Sequence, residues 1–253
     1  MGQRPKACLG QRPSASTKQP DEDAVAFHNK LAIGWDDHYA RRSFQRREVV
    51  VAKLLAGSDL ECRSWLDAGC GSGRLSRLLA QRGANVLGVD AASGMIESAA
   101  RLAEPLDVGE RVRFQRVEDV ANLPFANASF DGILCISVLE YLPDPIGCLS
   151  EFARLLRRGG MLLVSIPNAA SPLRRAQRAL FAMTRLLGHP GLPAYLRYSH
   201  DVTGRAGFET ALRATGFTPD GREYLGGPWP ATAQSWPWLG SLTMFRARRG
   251  SAR

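Results

Sequence analysis

The residues best suited to chemistry gather around a glycine-rich run, Asp67-Ala68-Gly69-Cys70-Gly71-Ser72-Gly73. Glycines let a backbone approach a ligand closely and turn sharply into a helix. Free amides at such a helix start favour a carboxylate, and the Asp67 side chain would receive an ammonium, directly or through water. An amino-acid group carries both. Asp90 follows about 20 residues on, where an acidic side chain can accept from both hydroxyls of a ribose. A glycine loop and a distant acid also fit a dinucleotide. The spacing here is Gly-x-Gly-x-Gly, however, and not the Gly-x-Gly-x-x-Gly of dinucleotide sites. A third polar stretch, Glu118-Asp119-Val120-Ala121-Asn122-Leu123-Pro124-Phe125, comes further along. The side chains able to take a proton from a substrate are His28, His38, His189, His200, Glu140 and Tyr141.

Strands alternating with helices would position these groups. Ser64 to Ala68 is a short apolar strand ending in the glycines, and Arg74 to Gln81 is the helix after them. Asn85 to Val89 reads as a strand closing at Asp90, with a helix over Met95 to Leu102. Val112 to Val117 alternates as a strand does. Phe130 to Ile136 is nearly all apolar, as expected of a central parallel strand buried on both faces. Pro145 to Arg157 is helical, with proline in its first turn. Gly159-Gly160 stops it, and Met161 to Ile166 is a further strand. This alternation predicts an α/β fold with a doubly wound, mostly parallel sheet, whose ligands sit beyond the carboxyl ends of the strands. Residues 23–56 read as N-terminal helices punctuated by Gly34 and Gly57. After Pro167 the rhythm breaks: Ser171 to Leu187 is an amphipathic helix, Asp201 to Thr215 another, and strands at Thr218 to Leu225 and Ser241 to Arg246 end the chain.

The bulk numbers set bounds. The chain has 253 residues, 45% hydrophobic and 23% charged, with a net charge of +9, which describes a globular chain able to bury a sizeable core. No apolar run is long enough to span a bilayer, and the first residues carry no signal-peptide pattern. Residues 1–22 read as a disordered basic tail, and 23–253 as one domain. Five cysteines without Cys-x-x-Cys spacing point to a reducing cytoplasm rather than to disulfides or zinc. No His and carboxylate cluster has metal spacing.

Taken in order, Leu66 to Arg74, Val86 to Met95, Glu118 to Phe125, Ser129 to Asp131, Ser137 to Pro145 and Leu155 to Asn168 resemble the class I S-adenosylmethionine-dependent methyltransferases. The resemblance is to the large type 11 family that includes ubiquinone- and menaquinone-biosynthesis enzymes. It spans roughly residues 60–170, with a weaker match from Tyr198 to Phe217. It implies a seven-stranded Rossmann-like sheet with a helical lid insert over 171–200, and S-adenosyl-L-methionine as cofactor. It also implies roles. Gly69, Gly71 and Gly73 lie under the methionine part, with Cys70 giving its backbone and Asp67 its acid. Asp90 takes the ribose hydroxyls and Met95 packs against adenine. Asp119 accepts from the adenine amino group, Val120 donates its backbone N–H to the ring, and Ser137 lies beside the reacting methyl. Quinone-type O-methyltransferases carry a His-Asp pair after their lid, so His200 is the expected base. Asp201 serves equally as a helix N-cap. The N-terminal helices, with His28, His38 and Tyr39, would cover the cofactor.

The expected reaction is O-methylation of a hydrophobic small molecule, a phenol- or quinone-like, aromatic or lipid-like metabolite. On a helical wheel Leu173, Ala176, Leu180, Met183 and Leu187 share one face, and Arg174, Arg178 and Arg185 another. That helix either caps a hydrophobic pocket with its apolar face inward or rests on a membrane surface with its arginines at the headgroups. Trp229, Trp236 and Trp238 would line the pocket or pack the sheet edge. Two alternatives stay open: a nucleic-acid methyltransferase, prompted by the basic charge, and a non-catalytic cofactor-binding protein. Nucleic acid is disfavoured, because (Asp/Asn)-Pro-Pro-(Tyr/Phe), found in many enzymes acting on DNA bases, is replaced by Ser137-Val138-Leu139-Glu140.

Overall fold

The structure is a computed structural model that describes residues 22–32, 34–35, 42–200, 202–226 and 236–250. Residues 1–21 of the expected basic tail, His38, Tyr39, Asp201 and Trp229 lie outside the described residues, and Glu22 of that tail already belongs to a helix. Among the described residues, the helices α1 (Glu22–Ala32) and α2 (Arg42–Leu54) precede the sheet. Then come β1 (Ser64–Ala68), α3 (Arg74–Ala80), β2 (Asn85–Asp90), α4 (Ser93–Ala103), β3 (Val112–Arg116), β4 (Phe130–Cys135), α5 (Pro145–Leu155) and β5 (Leu156–Pro167). The remaining elements are α6 (Pro172–Leu186), α7 (Arg205–Ala214), β6 (Phe217–Leu225) and β7 (Leu242–Arg249).

The strand order is β3-β2-β1-β4-β5-β7-β6. The first five strands run parallel, and β7 slots antiparallel between β5 and β6. This is the seven-stranded, doubly wound sheet expected from the sequence. Order reverses between β1 and β4, and that switch point is where ligands settle in open α/β sheets. β1 and β4 are buried along nearly their whole length, because helices cover both faces. One side packs Phe152, Phe208, Phe217 and Phe245; the other packs Trp65, Leu79, Leu134 and Met244.

Local sequence explains where the elements begin and end. Asp144 caps α5, accepting from the Gly147 N–H at 2.8 Å, and Pro145 occupies the first turn. The α5 helix stops two residues before the predicted Arg157. Leu156 is already extended and pairs with Phe130, while Arg157 turns outward to Asp131 at 2.7 Å. The glycines Gly159-Gly160 therefore lie in an irregularity within β5, not at the helix end. α7 begins at Arg205, later than the predicted Asp201. Gly204 is its N-cap (φ −58°, ψ 165°), and Val202 before it is buried.

Candidate active site

A cavity of about 940 Å³ opens at the carboxyl ends of the parallel strands. Asp67, Gly69, Cys70, Gly71, Asp90, Met95, Asp119, Val120 and Ser137 all line it. Gly73 does not. It caps α3 at φ +74°, and a Cβ there would stand 2.5 Å from the Phe114 ring, so this glycine serves the packing of α3 on β3.

The loop after β1 is stitched to β2. The N–H groups of Gly69 and Cys70 both donate to the Val89 carbonyl (2.8 and 2.9 Å), and Gly73 N–H donates to the Cys70 carbonyl (3.0 Å). Gly71 N–H donates to Asp90 Oδ2 at 2.9 Å. These four loop amides are thus committed to the protein itself. What the loop offers a ligand is close approach. Gly69 lies at φ +74° with a virtual Cβ 2.3 Å from the Val138 side chain, whereas one at Gly71 would meet only Trp35 Nε1 at 3.9 Å. Asp90 is held at both oxygens, Oδ1 accepting from Ala92 N–H at 2.9 Å. Each oxygen keeps a lone pair, which fits the two hydroxyls of a ribose.

Asp67 is buried, and its Oδ2 accepts from Ser76 Oγ at 2.6 Å. Burial, with a smaller push from the Asp90 charge, raises its pKa to about 6 against the opposing Ser76 bond. Burial also raises Asp90, opposed by the Ala92 and Gly71 amides and the nearby His28. The buried Cys70 thiol is pushed up as well, which keeps it protonated and inert. Asp119 accepts from Ala121 N–H at 2.8 Å in a tight turn. The loop beyond is clamped by Arg154, which reaches the Leu123 and Phe125 carbonyls, Asn127 and both oxygens of Glu151. Ser137 sits at φ +60°, its N–H donating to Ser165 Oγ of β5 at 2.8 Å, and its Oγ is buried without a hydrogen-bond partner. The set fits a nucleoside with an amino-acid end: an ordered acid for the ribose, a buried acid for the ammonium and a glycine loop open to the cavity.

Residues 66–164 match the family model described as "Methyltransferase domain". The chain is 29% identical over 155 residues to a ubiquinone biosynthesis O-methyltransferase of Psychrobacter cryohalolentis, covering 61% of this chain and 57% of that one. The chain spans about half the length of the curated relatives it matches. Among solved structures, it resembles the magnesium protoporphyrin IX methyltransferase of Synechocystis, described with bound SAH, at TM-score 0.66 and 22% identity. That match covers 90% of this chain and 99% of the other. It also resembles the [4+2]-cyclase SpnF at TM-score 0.65 and 16% identity, over 90% and 97% of the two chains. Likenesses at such identities establish the fold alone.

The other half of the cavity belongs to residues that the sequence did not single out, or did not rank first. Arg46, Arg47 and Glu48 of α2, Leu173, Arg174 and Gln177 of α6, and Tyr195 all line it. His28 lines it too, its ring edge-on to Tyr141 at 5.0 Å. His200, the expected base, is exposed and does not line the cavity. Its contribution is a backbone N–H donated to the Glu140 carbonyl at 2.6 Å. His189 is likewise exposed and outside the lining.

The α6 helix is turned the opposite way from an inward apolar cap. Leu180, Met183 and Leu187 are 43%, 52% and 69% exposed, while Arg174 is buried. Leu173 alone of the predicted apolar face lines the cavity, and Arg178 is half-buried. The anchors of this helix are polar: Arg174 Nη2 to Ser199 Oγ at 2.9 Å, and Leu192 N–H to Thr184 Oγ1 at 3.0 Å. Trp236 and Trp238 are half exposed and packed against each other with ring centroids 5.6 Å apart and planes tilted by 37°, outside the lining.

Proposed function

We propose that the chain transfers the methyl group of S-adenosylmethionine to a hydroxyl of a hydrophobic, phenol-like small molecule. The observation that carries this reading is the size and continuity of the cavity. About 940 Å³ is near the top of the range of about 300–1,000 Å³ for single-ligand pockets, and it runs from the cofactor side past Ser137 to a region lined by Tyr141, Leu173, Tyr195, Leu225 and Leu242. Bound S-adenosylmethionine supplies a methyl on an activated sulfonium. The protein therefore has only to align an acceptor oxygen, exclude water and receive a proton. Asp90 would hold the ribose, Asp67 the ammonium, Met95, Asp119 and Val120 the adenine, with Ser137 at the passage between the halves. The ubiquinone O-methyltransferases among its relatives favour a phenolic hydroxyl as acceptor.

The test is S-adenosylhomocysteine release by the full chain with a panel of alkylated phenols and catechols, run beside calorimetric titration with S-adenosylmethionine. Micromolar cofactor binding, lost on Asp90→Ala, with turnover of at least one phenol is the expected outcome. Tight cofactor binding with no phenol methylated would sink the substrate class.

We also infer that α6 rests on an anionic membrane surface. Leu180, Met183, Leu186 and Leu187 are exposed beside the exposed Arg175 and Arg185, the composition of an interfacial helix. Among the described residues no helix is long and apolar enough to cross a membrane.

A further inference from the structure

Glu140 and Arg174 are oppositely charged, nine-tenths or more buried, and line the same cavity. They are not within ion-pair distance of each other. Glu140 Oε2 and Arg174 Nε are both buried without a hydrogen-bond partner. Elsewhere each is firmly held. Glu140 lies in the turn Leu139–Tyr141 that follows Ser137, and its carbonyl is tied to His200 N–H at 2.6 Å. Arg174 lies in the first turn of α6 and is tied through Nη2 to Ser199 Oγ at 2.9 Å. A buried charged group with an unmet hydrogen-bonding atom is costly, and two of opposite charge lining one cavity define a ligand chemistry. The group that satisfies both donates one proton and accepts another. A hydroxyl does this through a single oxygen.

We propose that Glu140 and Arg174 are the acceptor-binding pair of the methyltransferase. The acceptor O–H donates to Glu140 Oε2, its oxygen accepts from the Arg174 Nε–H, and Glu140 takes the proton during transfer. This deepens the function proposed above and rests on it. In the step, an oxygen lone pair of the acceptor forms the new C–O bond. The methyl C–S bond breaks, and its electron pair returns to sulfur, leaving a neutral thioether. The hydroxyl proton passes to the Glu140 carboxylate. Acidity of that hydroxyl rises steeply as the C–O bond forms, so a carboxylate is a sufficient base. Glu140 is the catalytic residue, and Arg174 orients the oxygen.

The groups facing Glu140 are Arg174 of α6, Arg47 of α2, Tyr195, and its neighbour Tyr141, which packs on His28 of α1. Burial raises the Glu140 carboxyl above its ordinary range, against the pull of Arg174 and Arg47. A base of this kind works when ionised, so activity should fall as pH drops through its pKa.

The experiment uses the full chain, S-adenosylmethionine and 4-hexylcatechol as the probe. Steady-state rates are measured from pH 5 to 9 for the parent, Glu140→Gln and Arg174→Met, with cofactor affinity measured for each. The expected result is unchanged cofactor affinity in both variants. Glu140→Gln should lose about 100-fold in kcat together with the acidic limb of the pH profile, and Arg174→Met should raise KM about tenfold. Glu140→Gln retaining kcat within about twofold and the same acidic limb would overturn the proposal while leaving the methyltransferase reading intact. If the parent methylates no catechol, that reading fails on its own, and binding of the same catechol to the S-adenosylhomocysteine-loaded protein decides the pair. Binding weakened in both variants supports it, and binding absent or unchanged in them overturns it.

Discussion

Asp67 illustrates how much one carboxyl can couple. Burial raises its pKa to about 6, so the folded chain holds this proton more tightly than the unfolded chain, where an aspartate titrates near about 3.9. Its contribution to stability is therefore fully present below about pH 4 and is lost as pH rises through about 6. The ionised form costs up to about 3 kcal/mol at neutral pH. An ammonium placed against it offsets that cost, and only the ionised form attracts one. The affinity for S-adenosylmethionine should thus weaken by about tenfold between pH 7 and pH 5. Asp67→Asn should flatten that dependence. Calorimetry at the two pH values checks it: equal affinities in the parent would remove Asp67 from the ammonium site.

At the same scale, the acids and glycines were legible in the sequence while the base was not. Asp67, Asp90 and Asp119 sit at strand ends and loops whose positions follow from the alternation of strands and helices. All three line the cavity. Glu140 stood among several proton acceptors, and nothing in its spacing ranked it above His200. Only burial separates them: Glu140 is enclosed against the cavity, and His200 is exposed. Burial at that turn depends on α6 and the segment ending at Ser199, which come from far along the chain.

Among the elements, α3 depends on a glycine whose packing adds to the loop role expected of it. An L residue at Gly73 would have to adopt φ +74° and place its Cβ 2.5 Å from the Phe114 ring. The left-handed backbone alone costs about 1–2 kcal/mol. With the ring displaced as well, Gly73→Ala should lower the melting temperature by roughly 3–10 °C. Because Gly73 is not in the lining, cofactor affinity should stay within about threefold of the parent at temperatures where both are folded. Thermal unfolding and calorimetry on the same preparation test this. A large loss of affinity at unchanged melting temperature would return Gly73 to the binding loop.

The α6 helix shows where periodicity misleads. Its apolar and basic faces were evident, and an amphipathic helix usually turns its apolar face inward. That rule assumes an apolar layer beneath the helix. Here the residues below it line a cavity, so Arg174 and Gln177 face in and Leu180, Met183, Leu186 and Leu187 face out.

For the molecule as a whole, that outward face and the net charge of +9 make membrane attachment measurable. Apolar contact and electrostatic attraction to anionic lipid add for such a helix, while salt screens the second. The full chain should float with vesicles containing phosphatidylglycerol and remain behind with purely zwitterionic ones. Flotation should fall at high salt, and Leu186→Asp combined with Leu187→Asp should abolish it without changing cofactor affinity. Failure to float with the anionic vesicles would sink the membrane reading.

The sequence by itself determined the sheet, its cofactor end and the acids placed there, because these depend on local signals: alternation of period, glycines at turns and a residue type at a strand terminus. The tertiary structure decided which amides of the glycine loop are already committed, which way α6 turns, and which proton acceptor is enclosed. Each of those depends on distant segments meeting. Val89 meets the loop after β1, Ser199 meets Arg174, and His200 meets the turn that carries Glu140. Hydrogen bonds formed across such separations leave no periodic trace in the chain, and burial, which sets the chemistry of a charged group, exists only once they have formed.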